Sequence, residues 1–341
     1  MKCWYLVAFA TLFWACSESN MAGGTSEEAE GIVAIKDREV AGVTQKGPFL
    51  VGSSVTIQEL DGKTLIQTGR SFKTSVKTNL GDFAVKNVNL ASQYALLEVN
   101  GYFRNEVTGK NSEGMISLNA LTDLTNRNNV NVNVLTHLET DRVLNLVQKQ
   151  GMSFADAKKQ AESEIFSSFS FTSILESPED IDIFSGGNGD ALFALSVLML
   201  GNGSVADFSE RLALAARSFA ENGEWHGQEK AEVADWAYQI ESEENAKNVE
   251  NSTLSRIWEN VDSWNPLYEQ TYFNAPYIDG FLYLFWINEY NLGPCDKNHS
   301  GNMKKVANPH SKYFNKEFVC YYNDDYRCTD DGIGCRWLLV E

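Results

Sequence analysis

The chain has 341 residues, with 28 basic and 46 acidic side chains and a formal net charge of −18. A composition of 43% hydrophobic and 22% charged residues is that of a globular chain and excludes wholesale disorder. The negative charge, with no local run of Lys and Arg, argues against nucleic acid and anionic lipid headgroups as partners.

Lys2 precedes an uncharged, mostly apolar run from Cys3 to Ala15. It is shorter than the roughly 20 apolar residues of a transmembrane helix, so residues 1–15 read as an export signal. Its end, Leu12-Phe13-Trp14-Ala15-Cys16, resembles the lipobox of bacterial lipoproteins, although Phe13 and Trp14 are bulkier than that pattern's usual residues. The resemblance implies that Cys16 is diacylated and becomes the mature N-terminus, anchored in the outer membrane or at the cell surface. The alternative is an ordinary secretory signal in which Cys16 is incidental. Residues 16–41 are expected to be an acidic flexible tether, since Glu18, Glu27, Glu28 and Glu30 stand among Ser, Thr and Gly with no basic residue between Ser17 and Glu30.

From Gly42 the period is that of strands. Ser53 to Leu60 alternates apolar with polar, Asp61-Gly62 marks a turn, and Ser71–Val76, Phe83–Val88 and Tyr94–Val99 repeat the rhythm. Short strands at regular spacing predict a small antiparallel β-sandwich over residues 42–112. The segments Thr44–Ile57, Thr78–Phe83 and Asn100–Gly109 resemble the N-terminal module of a group of uncharacterised bacterial surface lipoproteins, a module similar to carboxypeptidase regulatory-like, or transthyretin-like, β-sandwiches. The likeness continues through Leu118–Leu124 and Val130–Glu139. It implies a binding or spacer module and transfers no catalytic residue.

After Asn133 the period changes to that of helices. Val134, Leu135, Leu138, Val143, Leu146 and Val147 repeat near 3.6 residues until Gly151, and Ser153 caps a second helix with Asp156 three positions on. Ala191–Leu200 reads as a buried helix, and Asp207–Asn222 and Gln228–Ala246 as two more, giving a mainly helical domain over residues 113–250. Residues 251–341 form an aromatic and cysteine-rich C-terminal region. Its tail, with Phe318–Tyr322 and Cys335–Glu341, resembles short cysteine-and-tryptophan β modules of surface lipoproteins from fibre-degrading bacteria. The expected fold class is therefore multidomain α+β: a sandwich, a helical domain and a small disulfide-bonded module.

Cys295, Cys320, Cys328 and Cys335 cluster near the end of the chain and are expected to form two disulfides in an oxidising compartment, with three pairings open. The alternative is a zinc site with His299 and His310, disfavoured because no Cys-x-x-Cys pair is present. His137 and Glu139 are expected to cap or pack. Asp324, Asp325, Asp330 and Asp331 lack the spacing of a calcium loop and read as a solvated acidic loop. Nucleophile elbow, zinc-protease and phosphate-loop motifs are missing, so no catalytic residue, metal or cofactor is assigned. Trp258, Trp264 and Trp286 are candidates for stacking on a sugar, against core packing as the alternative for these and for Trp225 and Trp236. The function expected is a non-enzymatic, lipid-anchored envelope protein that binds or scaffolds, with polysaccharide or another envelope protein as partner. The alternatives are a polysaccharide-degrading enzyme with unassigned carboxylates and a purely structural lipoprotein.

Overall fold

The computed structural model describes residues 31–171, 176–245, 252–264, 278–322 and 335–340. The export signal, Cys16, most of the tether, Cys328 and the four aspartates of the acidic loop lie outside the described residues.

Two sheets occupy the first part of the chain. One has the order β3 (Gln67–Ser75), β2 (Ser54–Leu60), β5 (Tyr94–Gly101), β6 (Ile116–Asp123), all antiparallel. Alternation along β5 buries Ala95, Leu97 and Val99 on one face, which fixes the register Leu97 opposite Ile57 and Ala120. The other sheet sets β1 (Ile35–Gln45) between the antiparallel β4 (Asp82–Leu90) and the parallel β7 (Val132–Asn133).

Two expected boundaries shift. The tether ends before residue 41, because β1 starts at Ile35, which is buried opposite Leu90, and Val40 is buried opposite Val85. Helical structure begins after residue 113, because Ile116, Leu118 and Ala120 alternate with exposed or half-buried neighbours and pair with β5 along its length.

The helices follow their end signals. In α1 (Val134–Gln150) the Asn133 side chain accepts from the Thr136 amide, and Thr136 caps Asn133 in return; Gly151 ends the helix at φ 70°, a left-handed conformation that suits glycine. Ser153 caps α2 (Phe154–Ser168), its hydroxyl bound to both the amide and the carboxylate of Asp156. In α3 (Asn188–Leu200) every residue from Ala191 to Leu200 is buried. Then come α4 (Val205–Asn222), α5 (Gln228–Asn245), α6 (Thr253–Asp262) and α7 (Asp279–Glu289). Among the described residues no single helix is long and apolar enough to cross a membrane.

The chain ends in a third sheet of β8 (Met303–Lys305), β9 (Glu317–Tyr322) and β10 (Cys335–Leu339), antiparallel with β9 central. Cys295 and Cys320 form a disulfide that closes a 25-residue separation, worth about 3 kcal/mol by loop-closure entropy. Cys335 is also disulfide-bonded. The third sheet is tied to α5 by Asp235, which accepts from Tyr290, Ser311 and the Lys312 amide at 2.5–2.8 Å.

One cluster of buried apolar residues runs without a break from Val55 and Leu97 in the sheets, through Leu138 and Leu195 in the helices, to Trp286 and Trp337 near the C-terminus. A satellite of Leu60, Leu121, Val143, Leu146, Ala157 and Ala161 lies where β2 and β6 meet α1 and α2.

Candidate functional site

The first half of α2 packs on that satellite with Ala157 and Ala161. Phe154, Lys158 and Glu162, four residues apart, therefore share an adjacent stripe of the helix. The stripe forms one wall of an open cleft of about 630 Å³. The segment between β6 and β7, with Thr125, Asn126, Arg127, Asn128 and Asn129, forms a second wall, and Ser177, Glu179 and Asp180 a third. Asn131 and Asn133 fix this third wall: their side-chain amides donate to the carbonyls of Ile181 and Pro178, and the Asn131 backbone amide donates to that of Glu179.

The cleft lining carries four acids (Asp123, Glu162, Glu179, Asp180) and two bases (Arg127, Lys158). Lys158 reaches into its floor, where Nζ meets Glu139 Oε1 at 2.5 Å, Glu179 Oε2 at 3.2 Å and the Leu121 carbonyl at 3.3 Å. Arg127 grips Asp180 with two nitrogens, at 2.5 and 3.1 Å, and stands 3.8 Å from Glu179. The Ser177 hydroxyl donates to Glu162 at 2.7 Å. Phe154 packs tilted against Tyr94 at a centroid distance of 4.6 Å, giving the rim one apolar edge.

One ammonium shared by two carboxylates drives them apart. Burial pushes the Glu139 carboxyl up, and the neighbouring Glu179 and Glu162 charges add to this against the pull of Lys158, so it titrates near 8. Burial acts on Glu179 in the same sense, but Lys158 and Arg127 outweigh it and hold that carboxyl below the usual range. Burial would lower Lys158, but Glu139 and Glu179 prevail and keep it charged. Lys158 therefore pairs with an ionised Glu179 and donates to a Glu139 that retains its proton at neutral pH. Glu139 has no exposed surface and does not line the cleft, so it sets the charge of the floor without reaching a ligand.

The residues singled out from sequence fall elsewhere. Trp286 is wholly buried among Tyr238, Tyr283, Tyr290 and Phe318, with centroids 5.0–6.1 Å away, and offers no face to a sugar. Trp264 is 6% exposed, close above Gly47 and 5.9 Å from the Arg104 guanidinium. Trp258 is half-buried, and Trp225 and Trp236 are buried. Trp264 and Trp286 are core residues, the first against Gly47 and Arg104 and the second within an aromatic cluster. His299 binds Asp296 at 2.7 Å, His310 is exposed, and no group of three metal-ligating side chains occurs among the described residues. His137 is a half-buried helix residue whose imidazole pKa is depressed to about 4 by loss of hydration.

Sequence reasoning missed Arg127, Lys158, Glu179 and Asp180. The spacing of Phe154, Lys158 and Glu162 was legible, but their partners are remote in the chain. Comparison with family models, curated proteins and solved structures finds no match to this chain.

Glu139 and His137 make opposite contributions to stability. The unfolded Glu139 ionises near 4.5 and the folded one near 8, so from 4.5 to 8 the folded state holds the extra proton and stability falls as pH rises. His137 protonates near 6.5 unfolded and near 4 folded, so its contribution rises with pH over that interval. Glu241, raised by burial to about 7, adds a fall in the same sense as Glu139, so the profile from urea midpoints is expected to fall from about pH 4.5 and to lose on the order of a few kcal/mol by pH 8. Glu139→Gln is expected to decline less with pH, most clearly between about pH 7 and 8, where Glu139 alone of these three groups still contributes; an unchanged decline there in that variant contradicts the assignment.

Proposed function

We propose that this chain is an exported, lipid-anchored bacterial envelope protein that binds rather than transforms its ligand, and that the cleft beside α2 takes a polar, hydroxyl-rich molecule, a saccharide. The proposal retains the resemblance to surface lipoproteins with a carboxypeptidase regulatory-like sandwich. The two N-terminal sheets are its sandwich module, on which the helical and C-terminal units pack.

The lining of the cleft carries this reading. Sugar hydroxyls both donate and accept, and amides of Asn126, Asn128 and Asn129, carboxylates of Asp123 and Glu162 and the Arg127 guanidinium supply both kinds of partner around one opening. Phe154 adds an apolar edge for the face of a ring. The same site weighs against hydrolysis: Glu139, the carboxyl raised to about 8, is sealed beneath Lys158, where it meets no bond to be broken. The buried tryptophans move the ligand away from the C-terminal aromatic region and leave a scaffold role with protein partners as the second reading.

Titration of the full chain with soluble oligosaccharides, alongside co-sedimentation on insoluble plant polysaccharides, tests the ligand. Asp123→Asn and Asn126→Ala are each expected to weaken binding about tenfold, one hydrogen bond of roughly 1.4 kcal/mol, with an unchanged unfolding midpoint. No binding to any sugar leaves the scaffold reading, and release of reducing sugar replaces binding by catalysis. For the anchor, intact-mass analysis of natively expressed protein is expected to show a chain beginning at Cys16 with added acyl mass. A different start without lipid overturns it.

A further inference from the structure

Outside the lining of the cleft, Lys46 and Glu106 are both wholly buried, with Nζ 2.8 and 2.6 Å from the two carboxylate oxygens. The rings of Phe103 and Phe208 stand 5.3 and 5.2 Å from the nitrogen. The backbone delivers both groups to one point. Lys46 follows the last residue of β1, and Gly47 lets that turn lie against the 103–106 segment, since a Cβ there would sit 2.1 Å from the Arg104 carbonyl oxygen. The Asn105 carboxamide oxygen accepts from the amides of Val107 and Thr108, a turn that directs Glu106 inward. Ser196 of α3 donates to the Lys46 carbonyl and also contacts the Glu106 carboxylate.

We propose that Lys46 and Glu106 are a site of covalent self-modification, joined by an amide between Lys46 Nζ and Glu106 Cδ. The reacting partners are the neutral amine and the neutral carboxylic acid. Nζ attacks Cδ, the Nζ–Cδ bond forms and one Cδ–O bond breaks. The departing hydroxyl and one hydrogen of the amine leave as a single water molecule, so no oxidant, reductant or further reactant is required. Burial favours this pair of protonation states from both sides: loss of hydration lowers Lys46 and raises Glu106, each against the attraction of the other. Rotation about the terminal bond of the glutamate, a broad torsion, presents the carbon to a nitrogen already within 2.8 Å of both oxygens. The product replaces an amine and a carboxyl, whose charged forms are costly to bury, by one neutral amide, and its sealed surroundings protect the new bond from water.

Tryptic digestion of the reduced, denatured full chain tests this directly. Acylated Lys46 resists trypsin, so residues 39–63 are expected to remain joined to residues 105–110 as one branched peptide, lighter by one water than the two linear sequences together. Tandem mass spectrometry should locate the branch at Lys46 and Glu106. In Lys46→Met the branched species is expected to vanish, with residues 105–110 recovered as a free linear peptide. The unmodified chain decides the matter even if that variant does not fold: recovery of linear 39–46 and 105–110 in full yield overturns the proposal.

Discussion

The contact on which the sheets and helices jointly depend is the buried meeting of Lys46 and Glu106. Taking an amine and a carboxyl group out of water is costly, and only close geometry with further polar contacts offsets it. Here the offset draws on several elements at once. Lys46 prolongs β1, Glu106 comes from the loop after β5, Ser196 from α3, and Phe208 from α4; Asn260 of α6 donates to the Glu106 carbonyl at 2.8 Å. Displacing any of these leaves a charge or a carbonyl stranded in an apolar interior. The pair thus fixes how the helices seat on the sheets, where apolar packing alone would tolerate many arrangements.

A second polar node governs the cleft in a different way. Lys158 stands 2.5 Å from Glu139 and 3.2 Å from Glu179, but Lys158 and Glu179 also line an open cleft. Arg127 and Asp180 extend the network to the surface, where the side chains are 24% and 49% exposed. A sealed node can serve architecture alone, whereas an open one with fixed donors and acceptors can meet a ligand. The satellite core beneath α2 holds that wall in place, so the cleft inherits its shape from Leu121, Leu146 and Ala161.

Much of the fold was legible in the chain. Asn133, Gly151 and Ser153 mark helix ends through short-range hydrogen bonds, and those signals need no tertiary partner. The strand character of Ile35–Val40 was hidden by charged Lys36, Asp37, Arg38 and Glu39, where the register against β4 is irregular between Ile35 and Val40 and the apolar alternation is lost. Tryptophans at 258, 264 and 286 looked like a binding row because sequence gives ring count without ring direction. Most polar partnerships were invisible: Lys46 lies 60 positions from Glu106, and Arg127 lies 53 from Asp180. Of the C-terminal cysteines the cluster was plain, while the joining of Cys295 to Cys320 depends on the fold bringing the segment before β8 against β9.

The central claim is that sheets and helices share one core pinned at a polar node, and equilibrium unfolding in urea followed by two reporters tests it most directly. In a chain that begins at Cys16, every tryptophan belongs to the helical and C-terminal parts, since none lies between residues 31 and 224. Amide protection at Val55, Leu97 and Val99 reports on the sheets. A single coincident transition for both reporters is the expected result. Loss of tryptophan burial at a urea concentration that leaves the β2 and β5 amides protected would contradict the account, because it would show two cores that fold apart.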